Sequence, residues 1–202
     1  MKRMLTIFIV IFMLLMPYAV LAETVTSTEK PIIEYDFKKF FWGASMDEVI
    51  KVEGTPLLDG KVNGVDATYI AYKTTAVGLD MILAYYFCDD GLFHVTYILN
   101  ETHSNESLYI DDYEKFKSAL EKKYGETWWD FENWENDSKK EYYADRKGDA
   151  LCYGYLEYST IWFLDRTFIS MDMSADNYEI TMTVNYESKE ISPGEANFSD
   201  EI

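Results

Sequence analysis

The side chains able to do chemistry in this chain are few in kind: two histidines, two cysteines and a surplus of carboxylates, 36 acidic residues among 202. His94 falls inside an apolar-rich run, opposite the face formed by Phe93, Val95 and Tyr97, while His103 sits in a polar loop of Glu, Thr, Ser and Asn. A Ser-His-Asp site needs a nucleophile held on a rigid element beside the imidazole, and the chain has no Gly-x-Ser-x-Gly turn to supply one. Carboxylate-pair hydrolysis of the glycosidase type needs only two acids across a cleft. It stands as an alternative, although 36 acids mark no particular pair. No catalytic residue is singled out, and the chain reads as a non-enzyme.

Oxygen ligands gather at Asp89-Asp90-Gly91, at Asp111-Asp112 and between Asp172 and Asp176. None follows the alternating loop of an EF-hand, and each has a local explanation as a hairpin turn, a helix cap or a turn before the last strand. No metal site and no cofactor are expected. Cys88 and Cys152 lie in no Cys-x-x-Cys or other ligand spacing, so they give redox catalysis and a zinc site no support. In an oxidising compartment their even count points to a disulfide. It would close a loop of 64 positions (152 minus 88), worth about 4 kcal/mol on the chain-entropy account. Two free buried thiols on separate strands are the other reading.

Aromatic residues make up 17% of the chain, and Trp128-Trp129-Asp130-Phe131-Glu132-Asn133-Trp134 concentrates four of them in one charged segment. Trp128, Trp129, Phe131 and Trp134 are the candidate ligand-binding residues, because exposed rings stack on sugars or anchor a protein partner over a large area at low entropy cost. The competing reading has the same rings filling the gap between a helix and a sheet. Trp42 and Trp162 read as core.

The elements that must position these groups are legible in the pattern. Ser45-Met46-Asp47-Glu48 has capping-box spacing, and Met46, Val49 and Ile50 share a face before Gly54 and Pro56, which predicts a helix over 46–53. A second helix is expected after a cap at Asp111, with Ile110, Tyr113, Phe116, Leu120 and Tyr124 as its stripe and Gly125 as its end. β-rich sequence follows each helix: 67–73, 79–88 and 92–99 after the first, with Asp90-Gly91 as a hairpin turn. After the second come a strand near 141–144, then 151–158, 161–173 with a break at Asp165-Arg166, and 178–186. In the last, Tyr178, Ile180, Met182, Val184 and Tyr186 alternate with polar residues, the mark of an antiparallel sheet covered on one side. The absence of strand-helix-strand alternation argues against a doubly wound parallel sheet.

Residues 1–22 read as a secretory signal peptide: Lys2 and Arg3, an apolar run from Met4 to Met16, then Ala19-Val20-Leu21-Ala22. That run is too short for a bilayer core needing roughly 20 residues. Glu23, where a lipoprotein would carry its acceptor cysteine, leaves no lipid anchor expected. Residues 23–34 read as a flexible tether, 35–188 as the folded α+β domain with halves 35–106 and 107–188, and 189–202 as a disordered acidic tail. Net charge is −18, or −20 once Lys2 and Arg3 are removed (16 basic against 36 acidic). Such a surface repels nucleic acid and anionic lipid, and leaves proteins, glycans or cations outside the cytoplasm as partners.

Gly43-Ala44-Ser45-Met46-Asp47-Glu48-Val49, then Glu53-Gly54-Thr55-Pro56, then a meander, resembles the helix-led domains of the β-lactamase inhibitor proteins and of the small outer-membrane assembly lipoproteins over about residues 40 to 100. The helix end Lys122-Lys123-Tyr124-Gly125, with Trp162 in a later strand, resembles uncharacterised exported proteins of gut-type bacteria. The resemblance implies an α+β fold and a binding role, and carries over no functional residue. The expectation is an exported, soluble α+β protein of one or two helix-plus-antiparallel-meander units in tandem. Its expected role is protein interaction, with a carbohydrate-binding module as an alternative.

Overall fold

The computed structural model describes residues 34–194; the signal-peptide reading and nearly all of the tether lie outside them. In chain order the elements are α1 (Met46–Glu53), β1 (Leu58–Lys61), β2 (Thr68–Ala76), β3 (Leu79–Cys88), β4 (Gly91–Leu99), α2 (Ser107–Tyr124), β5 (Trp129–Trp134), α3 (Asp137–Tyr142), α4 (Lys147–Cys152), β6 (Leu156–Phe163), β7 (Thr167–Asp176) and β8 (Glu179–Ser188). The strands form one open sheet, antiparallel throughout, in the order β1-β2-β3-β4-β8-β7-β6-β5. The fold is α+β, and the strands after each long helix run outward-in to meet at β4 and β8. There Val95 stands opposite Tyr186 and Tyr97 opposite Val184.

α1 forms where the capping box places it: Glu48 N–H donates to Ser45 Oγ at 3.3 Å and Ser45 N–H to Glu48 Oε2 at 2.8 Å. α2 starts earlier than expected. It begins at Ser107, whose N–H is taken by the Asn105 side chain at 3.0 Å, so Asp111 lies inside the helix and caps nothing. The buried stripe is accordingly Tyr109, Tyr113, Phe116 and Leu120. The strand expected at 141–144 is instead the end of helix α3 and a turn, because Asn136 caps from Lys139 N–H at 2.9 Å. The run 151–158 splits between α4 and β6.

β8 alternates as its sequence does, with Met182, Val184 and Tyr186 buried. Tyr178 leaves that pattern: with Asn177 it has positive φ (70° and 49°) and forms the two-residue turn of the β7–β8 hairpin. The β3–β4 hairpin turns through Asp89 and Asp90 into Gly91, at φ +94°; a Cβ on Gly91 would stand 2.3 Å from Gly43 O. A register shift between Tyr86 and Phe87 leaves Phe93 as the extra residue of a bulge, so His94 faces outward with Tyr86 opposite it.

One face of the sheet is packed. Val49, Tyr113, Phe116, Leu120, Ala150 and Leu151 of the helices join Leu83, Tyr85, Val95, Met171 and Val184 in one core, a layer arrangement that buries one side of each strand. Trp42 and Trp162 are core residues as expected, and Trp42 Nε1 donates to Thr167 Oγ1 at 3.0 Å. The fold continues past Ser188: Lys189 N–H bonds Arg166 O at 3.1 Å, and Arg166 pairs with Glu190 and Asp36.

Cys88 and Cys152 do not form the expected disulfide. Cys88 ends β3 beside Gly91, 3.7 Å from its carbonyl oxygen, while Cys152 ends α4 beside Tyr178, 3.8 Å from its carbonyl oxygen. Gly91 and Tyr178 belong to opposite ends of the β4–β8 pair, since His94 lies opposite Glu187 and Ile98 opposite Thr183. Eight positions of β8 (187 minus 179) separate those ends, on the order of 25 Å of extended chain. A disulfide needs its Cα atoms within about 7 Å.

Candidate functional site

The face of the sheet that no described helix covers carries two features side by side. The first is aromatic. Among the described residues β5 pairs with β6 on one side only and is the last strand of the sheet. Alternation puts Trp129, Phe131 and Asn133 outward and Asp130, Glu132 and Trp134 toward the helices. The inward side is polar and held by charge: Lys117 of α2 reaches Asp130 at 2.8 Å, Lys147 of α4 reaches Glu132 at 2.5 Å, and the Thr160 hydroxyl donates to Asp130 Oδ1 at 2.8 Å.

With its inner positions pinned by ions, β5 leaves its outward rings in solvent. Trp128 is 71% exposed, Trp129 56% and Phe131 39%, and Phe163 on β6 is 51% exposed. Trp128 meets Phe163 edge-on (5.6 Å, 89°), Trp129 meets Phe131 the same way (5.9 Å, 89°), and Phe163 leans on Phe168 of β7 at 5.2 Å. Of the four candidate rings, only Trp134 is partly buried against the core. The gap between helix and sheet is therefore not filled by Trp128, Trp129 or Phe131.

The second feature is a hydrogen-bonded chain across β4, β8, β7 and β6. The Thr96 hydroxyl donates to Asn185 Oδ1 at 3.0 Å, so it accepts from His94 Nε2, 2.5 Å away. Asn185 Nδ2 donates to Ser170 Oγ at 3.2 Å, and the Ser170 and Ser159 hydroxyls donate to the two oxygens of Asp172 at 2.8 and 2.7 Å. From His94 the donors run through Thr96, Asn185 and Ser170 to Asp172, which Ser159 meets from the other side, a directional arrangement in which each bond polarises the next. Asp172, expected near a turn, is thus mid-strand.

Burial under Tyr86 and its neighbours pushes the His94 pKa down to about 4, the Asn185 side chain working weakly the other way. The imidazole is neutral at neutral pH, and its 3.7 Å approach to Glu187 becomes an ion pair only on protonation. Burial, and then Asp172, raise the Glu187 carboxyl. Among the described residues no serine or cysteine bonds either imidazole: His94 meets Thr96, and His103 Nε2 meets Asp112 at 2.6 Å.

The two features share a shallow depression of about 280 Å³ lined by Phe131, Asn133, Glu157, Ser159, Asp172 and Ser174. Sequence marked Trp128, Trp129 and Phe131 of this surface as binding candidates, and weighed His94 and Asp172 without joining them; the polar chain links residues that alternation alone only places on the wet face. His103 and Asp112 were likewise unlinked, and with Glu101 they form a compact donor group at the opposite end of the sheet from Cys88. No protein-family model, curated protein or solved structure matches this chain.

Proposed function

We propose that this is an exported, non-enzymatic protein that binds a protein partner through the uncovered sheet face, anchored by the aromatic edge at β5. The observation that carries this reading is the exposure of two ring pairs, Trp128 with Phe163 and Trp129 with Phe131, on neighbouring strands beside a polar strip whose members already satisfy one another. Protein interfaces concentrate affinity in such aromatic anchors, ringed by polar contacts that exclude water. β5 also presents an unpaired strand edge within the described residues, which a partner strand can extend. The chain's net charge of −18 favours a basic partner surface and fast encounter with it.

An extended platform for sugar rings needs aromatic faces lying in one plane, whereas both Trp pairs stand at 89°; this geometry supports a protein over a glycan. The leader-like pattern of residues 1–22 supports export. The strand order, symmetric about β4–β8 with a helix leading each half, supports reading 35–106 and 107–188 as one unit used twice.

The test is comparative capture from the producing culture with the full-length mature protein and its Trp129→Ala/Phe131→Ala form. A polypeptide retained by the first and lost by the second, and bound one-to-one after purification, is the expected result. Retention independent of the two rings, or ring-dependent binding to glycans alone, overturns the reading.

A further inference from the structure

At the far end of the sheet, the loop after β4 turns into α2 and brings together Glu101, His103 and Asp112. Their ligand atoms, two carboxylate oxygens and an imidazole nitrogen, all lie within 4.8 Å of one another. We propose that this group is a binding site for a divalent transition-metal ion of the zinc class, independent of the sheet face.

Three features of the surroundings support a ligand set over a surface ion pair. The side chains of His103 and Asp112 are largely shielded (16% and 14% exposed). Two of the three donors are steadied by neighbours: Asp80 N–H donates to Glu101 Oε1 at 2.8 Å, and Oε2 has no other partner among the described residues. His103 N–H donates to the Tyr109 hydroxyl at 3.2 Å, and its ring packs edge-on against Tyr109 at 4.7 Å. The backbone bond and the ring contact with Tyr109 restrict where the imidazole can point, and the Asp80 bond does the same for the Glu101 carboxylate. The cluster also opens on a cavity of about 410 Å³ lined by Glu101, His103, Glu106, Tyr109, Cys152 and Glu179, with room for the water or incoming ligand that completes coordination.

The geometry needs little adjustment. Two donors at about 2.1 Å from a tetrahedral ion stand about 3.4 Å apart, so the 2.6 Å His103–Asp112 pair opens by less than an ångström while the wider pairs close. One imidazole with two carboxylates suits zinc better than calcium, which takes oxygen ligands alone and more of them. On binding, Nε2 gives its lone pair to the ion and any proton it shares with Asp112 goes to solvent. Three protein ligands leave at least one position open to the cavity, the arrangement of sites that exchange a ligand.

The experiment is a zinc titration of the mature protein followed through the imidazole nitrogen resonances, which are few because the chain has only His94 and His103. The expected result is a saturable shift of the His103 Nε2 signal with His94 unmoved, and at least about a tenfold loss of affinity in Glu101→Gln and Asp112→Asn. Calcium at the same concentration leaves the signal in place. The proposal is overturned if neither imidazole moves below about 1 mM zinc, if His94 moves with His103, or if both variants bind as the wild type does. The wild-type spectrum decides the matter even if a variant does not fold.

Discussion

Trp129 and Phe131 meet edge to face on the outward side of the last strand of the sheet, centroids 5.9 Å apart, and both remain in solvent. They are two residues apart on β5, so the pair is built by strand alternation, and the ion pairs of Asp130 and Glu132 hold that strand down from its other side. A surface this apolar held in place by charge is costly to leave exposed unless something covers it.

Replacing Trp129 by alanine is expected to change folding stability by less than about 1 kcal/mol, as surface substitutions do. Trp162→Ala, in the core, should cost about 3 to 5 kcal/mol. Urea unfolding of the two variants measures the contrast. Partner affinity should reverse it, falling by at least about 2 kcal/mol for Trp129→Ala if the ring is an anchor.

Two buried tyrosines should respond oppositely to loss of their hydroxyls. The Thr160 hydroxyl gives its hydrogen to Asp130, so Tyr113 donates to Thr160 Oγ1 at 2.6 Å, with Met171 O a further 3.1 Å neighbour of its hydroxyl, whereas the Tyr158 hydroxyl is buried without a partner among the described residues. Tyr113→Phe is expected to destabilise by about 1 to 2 kcal/mol by removing the buried bond to Thr160. Tyr158→Phe is expected to be neutral or stabilising. Thermal unfolding of both variants checks the pair.

His94 makes stability depend on pH in a definite direction. Its folded pKa of about 4 lies below the 6.5 of a free imidazole. Between those values the unfolded chain binds more protons, so this contribution is complete above pH 6.5 and is lost as the pH falls toward 4. Glu187, whose carboxyl is raised, takes up its proton more readily when folded and offsets part of the loss. Relative to His94→Gln, the wild type should lose on the order of 2 kcal/mol between pH 7 and pH 4. Equal pH dependence of the two proteins in urea titrations would contradict the assignment.

The ends of the sheet keep the two cysteines apart, so both should be alkylated in denaturant without reductant, and reductant should leave the melting temperature unchanged. Intact mass after alkylation gives the count. A protein that takes up label only after reduction would place the cysteines together, against the strand register around Gly91 and Tyr178.

What could be seen in the sequence followed from local rules. The Ser45–Glu48 capping box and the alternation of Met182, Val184 and Tyr186 each involve neighbours, and each formed as its pattern dictates. β5 was illegible because its inward positions are Asp130 and Glu132, held by lysines from α2 and α4, which erases apolar alternation. Asp111 looked like a cap because Glu114 follows it, but Asn105 satisfies the helix start first. The pairing of β4 with β8 has no local signature. It decides the separation of the cysteines and the path from His94 to Asp172, and neither was readable without it.

The most direct test of the sheet face as an interaction surface is photo-crosslinking in the producing culture, with a photoreactive phenylalanine analogue placed at Phe131 or, as a control, at exposed Lys122 on α2. A discrete protein adduct from position 131, absent from position 122 and lost when Trp129 is also changed to alanine, is the predicted result. Adducts from both positions alike, or from neither while the protein is folded and exported, would contradict it.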